Sequence, residues 1–351
     1  MIPNDFKLIF KTIVGSNLYG TDIETSDVDI GGVFIPSEEY FYGFLNKIYL
    51  RDYEDKEKST TLYDICSFMK MLLVNNPSII EYLFIPESFW KHHTKEWIAI
   101  IHMEEHIVSR LCTDSFIGYA HEQLKRIKRH RNWLLNPPKE QPTREKYGLP
   151  DNRSLIPKDQ IGAFNKLLSL YLQQIGKFHG LREQLDKMEE TVAFIALTQN
   201  LKALDYKAIK TLVPVSDNFL EALEREKAYM NAMREWNSYQ NWKKNRHPAR
   251  AKLEEKFGYD TKHAAHLYRL LSEGEEIVGT GHITFPRPDV GLLRWILNGN
   301  VTYDELISLT DVLTSQLREL KEISPLPESP NEQLVDELCI KLVKSYLTKE
   351  V

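Results

Sequence analysis

The feature that most constrains this chain is a broken pair of apolar runs near its start. Residues 7–14, KLIFKTIV, are β-branched and apolar, and they stop at Gly15-Ser16. Ten residues later Asp27-Val28-Asp29-Ile30 leads into a second apolar run, VDIGGVFI (28–35), closed by Pro36. Both runs read as strands of a sheet. Strand alternation places Asp27 and Asp29 side by side on one face and turns Val28 and Ile30 toward the core. Adjacent carboxylates repel unless a cation lies between them, and magnesium favours carboxylate oxygens together with phosphate oxygens. A glycine after a strand lets a ligand approach the backbone closely. Ser16 offers both an N–H and a hydroxyl to phosphate oxygens. Alone, either feature is a turn found on many proteins; together they point to a phosphate held opposite a metal.

The remainder of the chain supplies context. Its 351 residues are 42% hydrophobic and 27% charged, enough for two or three packed units. No apolar run approaches the roughly 18 residues that a membrane span requires. The start, MIPNDFKLIF, carries Asp5 and lacks a leader's apolar core. Cys66, Cys112 and Cys339 have neither zinc nor disulfide-framework spacing. A soluble cytoplasmic protein is expected. Charge is unevenly spread: residues 1–64 hold 6 Lys+Arg against 12 Asp+Glu, whereas 121–146 and 242–270 each hold 8 against 3. That distribution suits cations at the N-terminal unit and an anionic partner elsewhere.

Two further strands are expected at 46–53 and 59–65, flanking the charged turn EDKEK. Helical spacing over 64–84 is interrupted by Asn-Asn-Pro at 75–77. Past residue 100 the pattern is mostly helical: 114–135 with a basic face, then 159–180, 182–204, 217–244, 260–272, 289–298, 302–321 and 330–348. Residues 136–160 contain five prolines and read as an arm or loop. The fold class is therefore α+β, a small mixed-sheet core followed by a mostly helical region. The expected domains are 1–115 and 116–351.

IVGS, ten residues and DVDI together resemble the signature of the DNA polymerase β-like nucleotidyltransferase superfamily. GSNLYG and SDVDIGGVF resemble its YcgL/RlaP-type branch, found in bacteria and phages. Similarity extends to TLYDICSFMKMLLVNNPSIIEYLF, NWLLNPPKEQPTREKYGLP and GYDTKHAAHLYRLL. The resemblance implies that Gly15 and Ser16 hold the β- and γ-phosphates of a nucleoside triphosphate. It implies that Asp27 and Asp29 bind two Mg²⁺ or Mn²⁺ ions with a third carboxylate from a later strand. Asp64 is the candidate for that acid, with Asp52, Glu54 and Asp55 close by in sequence. The implied reaction moves a nucleoside monophosphate to a hydroxyl acceptor, expected to be an RNA or tRNA end in repair or modification. A protein acceptor, a free-nucleotide acceptor and a non-catalytic antitoxin-like protein are the alternatives.

Two basic segments bear on the partner. At about 100° per helical residue, Lys262, His263, His266 and Arg269 share a face opposite Leu267, Leu271 and Tyr268. That face is read as facing a cleft or solvent and as a site for triphosphate or nucleic-acid backbone, with a solvated face and a His263–His266 zinc site as the other readings. Lys125, Arg126, Lys128, Arg129 and Arg131, interleaved with Tyr119 and Trp133, are expected to contact nucleic acid, with Lys243, Lys244, Arg246 and Arg250.

Overall fold

The computed structural model describes residues 6–42, 52–55, 59–151, 154–156, 217–246 and 248–348. The helices expected at 159–180 and 182–204 lie outside the described residues. Two compact units are present, one of Met1–Leu135 with Pro248–Val351 and the other of Asn136–His247.

In the first unit, β1 (Lys7–Val14) leads through Gly15 into the short helix α1 (Ser16–Tyr19). β2 (Asp29–Ile35) returns antiparallel to β1 and is followed by α2 (Glu38–Tyr42). Next come β3 (Asp52–Asp55) and β4 (Thr60–Asp64), then α3 (Ile65–Leu73) and α4 (Pro77–Ile80). β5 (Trp90–His93) adds an edge strand, completing a mixed sheet of order β3-β4-β2-β1-β5. Within it β2 and β4 run parallel, from Ile30 opposite Thr60 to Phe34 opposite Asp64. β5 escaped the sequence reading because WKHH is short and polar, as an edge strand tolerates.

The Asn-Asn-Pro interruption ends α3 by specific means. Asn75 adopts a positive φ of 47°, donates to Leu72 O and Ile107 O, and accepts from Ser109 Oγ. Asn76 then caps α4 by accepting from Ser78 N, and Pro77 occupies a first-turn position where no N–H is needed. Gly31 and Gly32 in β2 are required by close approaches. A Cβ on Gly31 would lie 1.9 Å from Tyr82 Oη, and one on Gly32 would lie 2.4 Å from Phe10 O. The strand is therefore crossed at van der Waals contact by the Tyr82 ring.

Two short 3-10 helices, Glu81–Phe84 and Glu87–Phe89, precede β5, and after it come α5 (Lys95–Ile101), α6 (Glu104–Ile107) and the long α7 (Leu111–Leu135). After the second unit, which contains α8 (Asp217–Asn245), the chain re-enters the first with α9 (Pro248–Phe257) and α10 (Thr261–Thr280). It finishes with α11 (Val290–Leu297), α12 (Tyr303–Ile323) and α13 (Glu332–Leu347). α10 makes its most extensive contact with α7. A single apolar cluster runs from Ile9 and Phe10 on β1 to Leu342 on α13, so the C-terminal helices complete the core of the sheet. No helix among the described residues is long and apolar enough to cross a membrane. In the second unit Arg144 forms a two-pronged pair with the buried Glu226, at 2.7 and 3.2 Å. The Arg144 guanidinium also lies over the Tyr229 ring.

A buried polar network ties α10 to the sheet side of the first unit. Arg269 donates to Glu81 Oε1 at 2.5 Å and to both oxygens of Glu273, at 2.7 and 2.9 Å. Its guanidinium carbon lies 4.0 Å from the centre of the Tyr19 ring. Tyr19 in turn donates to Glu81 Oε2 at 2.8 Å. Arg287 joins the same group through Glu273 at 3.9 Å, and it pairs further with Glu276 and with Asp289 at 3.2 Å. Removing one member of such a network strands the opposite charges away from water. Arg269→Met is expected to cost about 3–5 kcal/mol in denaturant unfolding. Gly31→Ala, forced against Tyr82, is expected to cost about 1–3 kcal/mol, with Tyr82→Phe in the same chain recovering part of the loss.

Candidate active site

The turn after β1 is built around a conformation that favours glycine. Gly15 has φ 72° and ψ −146°, and a Cβ there would lie 2.6 Å from Asp29 Oδ2. Any side chain would thus push the turn off the carboxylate. Val14 is opposite Asp29 in the β1–β2 register, which fixes the two segments side by side. Together they form one wall of a pocket of about 450 Å³. Thr61, Tyr63, Ser78 and Tyr82 contribute to the other walls, and Tyr19 and Glu81 of the buried network also line it. Burial raises the Tyr19 hydroxyl well above its ordinary value, with Arg269 opposing. Burial likewise raises Tyr82. Both phenols are therefore neutral, hydrogen-bonding groups.

C-terminal residues brace the turn. The N–H of Arg287 donates to Tyr19 O at 3.3 Å, and Arg294 Nη2 donates to Gly20 O at 2.7 Å. The Phe285 ring packs beside Tyr19, with centroids 6.1 Å apart. The loop that follows α10 thus supports the Gly-Ser turn.

The predicted site residues divide into those brought together and those held apart. Gly15 and Asp29 meet, and Ser16 opens α1 directly after Gly15. Asp27 precedes the strand, exposed, with its carbonyl accepting from Asn17 Nδ2 at 3.2 Å. β2 begins at Asp29, so alternation does not extend back to Asp27, and Val28 is 48% exposed instead of turned into the core.

Asp64 sits at the far end of the sheet. It is opposite Phe34, whereas Ile30, next to Asp29, is opposite Thr60. Four residues of strand at about 3.3 Å each separate those two levels. Asp64 instead caps α3: Oδ1 accepts from Ser67 N at 2.9 Å, and the buried Oδ2 has no hydrogen-bond partner among the described residues. Asp64 shares a strand face with Thr60 and Leu62, and that is the buried face of β4. β3, antiparallel to β4, brings other acids to the Asp29 end, with Glu54 opposite Thr61 and Asp55 opposite Thr60. Asp52 is opposite Tyr63.

The α10 face expected to bind phosphate is turned inward. Arg269 is buried and fully engaged by Glu81 and Glu273. His263 Nδ1 lies 2.9 Å from Gln123 Oε1 of α7. His266 is half-buried, and only Lys262 of the four is exposed. The face is polar because it meets polar groups of α7 and of the sheet side, which a single-helix projection does not reveal.

The basic stretch of α7 is also split. Lys125, Arg126, Lys128 and Arg129 are exposed, with Lys125 2.5 Å from Glu122. Arg131 donates to Gly258 O at 2.8 Å and stacks 4.4 Å over the Tyr303 ring, so its charge serves packing. Trp133 is buried and stacked on His130, which removes it as a base platform; Tyr119 remains exposed. Lys243 and Lys244 are exposed on α8, and Arg246 lies 4.7 Å over the Trp242 ring. The Arg250 side chain lies outside the described residues.

Sequence reasoning missed Tyr19, Glu81 and Tyr82. A signal existed for Glu81, an acid within the apolar run SIIEYLFI; such an acid must find a partner. Burial, and then the Arg269 charge, lower the His266 imidazole to about 3. The folded state therefore disfavours a proton that the unfolded chain accepts near pH 6.5, so stability is lost as pH falls below that value. Unfolding free energy is expected to drop toward pH 4 with an added slope of about 1.4 kcal/mol per pH unit. His266→Gln is expected to remove that part of the slope in denaturant titrations at stepped pH.

Residues 2–137 match the family model described as RlaP, the RNA repair pathway DNA polymerase beta family. No curated protein and no solved structure matches the chain. The matched segment runs from the β1 strand to the end of α7 and contains the Gly15 turn, Asp27 and Asp29. Over residues 2–137 the chain is thus similar to a polymerase β-like nucleotidyltransferase family.

Proposed function

We propose that this protein transfers a nucleoside monophosphate from a nucleoside triphosphate to a hydroxyl of an RNA end, such as that of a tRNA, with Mg²⁺ or Mn²⁺. The observation that carries the reading is the apposition of Gly15 and Asp29 on one wall of a 450 Å³ pocket. A side-chain-free turn against a carboxylate leaves backbone donors and an anion on adjacent surfaces, as a metal-bound triphosphate requires.

The donor set fits a hard divalent cation, since Asp27 and Asp29 offer oxygen ligands at the mouth of β2. When bound, the metal neutralises the triphosphate and the acceptor oxygen. The chain's own residues do the positioning. Gly15 and Ser16 hold the terminal phosphates. The neutral Tyr19 and Tyr82 hydroxyls line the floor, and Arg269 fixes Tyr19 and Glu81 from beneath. For the third carboxylate we propose Glu54, whose register opposite Thr61 sets it at the Asp29 end of the sheet. Residues 1–115 carry the catalytic groups, and 116–351 contribute nucleotide and acceptor binding. Within the latter, Arg126, Lys128 and Arg129 contact the phosphodiester backbone, with Lys243 and Lys244 as further contacts. The compartment is the cytoplasm of a bacterium or of a phage's host.

The test incubates the protein with each α-labelled nucleoside triphosphate, Mg²⁺ or Mn²⁺, and total RNA. Label is expected on RNA, and Asp27→Asn, Asp29→Asn and Glu54→Gln are each expected to lower the rate on the order of 10²-fold or more. Asp64→Asn keeps an oxygen for the α3 cap and is expected to retain activity. Label on the protein itself would replace the RNA acceptor with a protein hydroxyl. No transfer from any nucleotide, with RNA binding unchanged in Asp29→Asn, would leave a non-catalytic binding protein.

A further inference from the structure

We propose that His130, Asp260 and His263 bind a transition-metal ion of the zinc type, at a second site distinct from the pocket at Asp29. The three side chains come from two helices far apart in sequence, His130 from α7 and the other two from the start of α10. One potential ligand atom from each lies within 4.8 Å of the others. Among the described residues, this is the one cluster of three such groups.

The orientation of each group argues for an ion. Asp260 is buried and divides its carboxylate between two tasks. Its Oδ1 caps α10 by accepting from Lys262 N at 2.9 Å and His263 N at 3.0 Å. That leaves Oδ2 turned toward His263, 3.7 Å from Nε2. A contact of 3.7 Å is too long for a hydrogen bond. It is close to the roughly 3.3–3.5 Å that separates two ligands of a tetrahedral zinc, given bond lengths of about 2.0–2.2 Å.

The tautomer sharpens the point. His263 Nδ1 lies 2.9 Å from the amide oxygen of Gln123, which is buried. An amide oxygen can only accept, so Nδ1 carries the proton. In the neutral ring Nε2 then presents a lone pair to a carboxylate oxygen, an arrangement that repels unless a cation lies between. A ligating histidine held at its other nitrogen by an acceptor is the usual outer support of a metal site. His130 completes the set, its ring edge-on to that of His263 with centroids 5.7 Å apart. Two imidazoles and one carboxylate suit zinc or its borderline neighbours far better than magnesium. Arg126, Arg129 and Lys262 lie on the same two helices, but all three are exposed and screened by water. Half-buried histidines leave solvent to fill the fourth position. Such an ion would join α7, inside the family-matched segment, to α10 outside it.

The experiment uses the full chain stripped of metal, in excess Mg²⁺ so that carboxylate-only sites are filled. Co²⁺ is titrated in as a spectroscopic probe and then displaced with Zn²⁺. The expected result is a tetrahedral d–d band saturating at one ion per chain, abolished by Zn²⁺, and a rise in melting temperature on adding Zn²⁺. Asp260→Asn retains the oxygen that caps α10 but is a poor ligand, so it separates metal loss from misfolding. It is expected to weaken Co²⁺ and Zn²⁺ binding at least about tenfold, with circular dichroism of the metal-free protein unchanged. His130→Gln is expected to do the same. Asp29→Asn is expected to keep the band, which makes the outcome independent of nucleotidyl transfer. Absence of the band in wild type, or an equal band in Asp260→Asn, would overturn the proposal and leave His263 as an imidazolium paired with Asp260.

Discussion

The candidate active site depends on one buried cation. Arg269 enters from α10 and meets Glu81, Glu273 and the face of Tyr19 in a region closed to water. Glu81 and Tyr19 are also walls of the pocket. The same guanidinium that settles two buried carboxylates therefore sets where the pocket floor lies. Desolvating these groups is expensive, and the network is tolerable only because each charge has a partner at hydrogen-bond distance. Arg287 extends the network to the loop that braces α1, donating from its backbone to Tyr19 O. Electrostatics, rather than apolar packing alone, thus joins the C-terminal helices to the Gly15-Ser16 turn.

Much of the fold was legible because it is written in local patterns. Strand alternation, the Gly15 break, the Asn75-Asn76-Pro77 stop and the amphipathic spacing of the later helices each act within a few residues. The α+β layout and the positions of β1, β2, β4 and most described helices follow from them. The site was legible where its parts are near in sequence: Gly15 and Asp29 are fourteen apart and meet across a two-strand register. It was not legible where the partner is remote. Arg269 and Glu81 are 188 residues apart, and neither pattern nor spacing says which acid an arginine in LYRLL will find.

Asp64 illustrates a second kind of failure. Its position at the end of a strand suited both a catalytic acid and a helix cap, and the sequence alone could not say which end of the sheet it occupied. The parallel pairing of β2 and β4 decides it, since both strands then begin at the Asp29 level and Asp64 is carried to the other end. Had the pair been antiparallel, the same residue would have stood beside Asp29. Strand direction, a long-range property, therefore selected the role. β3, antiparallel to β4, runs back toward the Asp29 end of the sheet, one strand beyond β4.

The boundary of the family match has a physical consequence. Residues 2–137 hold the turn, Asp29 and every strand of the sheet, yet they do not form a closed structure. Their core is continuous with α10 to α13, and Glu81 would be an uncompensated buried charge without Arg269. A segment with that much apolar surface and a stranded carboxylate is not stable alone. Residues 248–348 are thus part of the fold that carries the site and not an appended module. Variation in α10, far from Asp29 in sequence, is placed to alter the pocket directly through Arg269, whereas the exposed basic residues of α7 and α8 can vary without disturbing it. Pocket geometry and exposed basic charge are in this way carried by different parts of the chain.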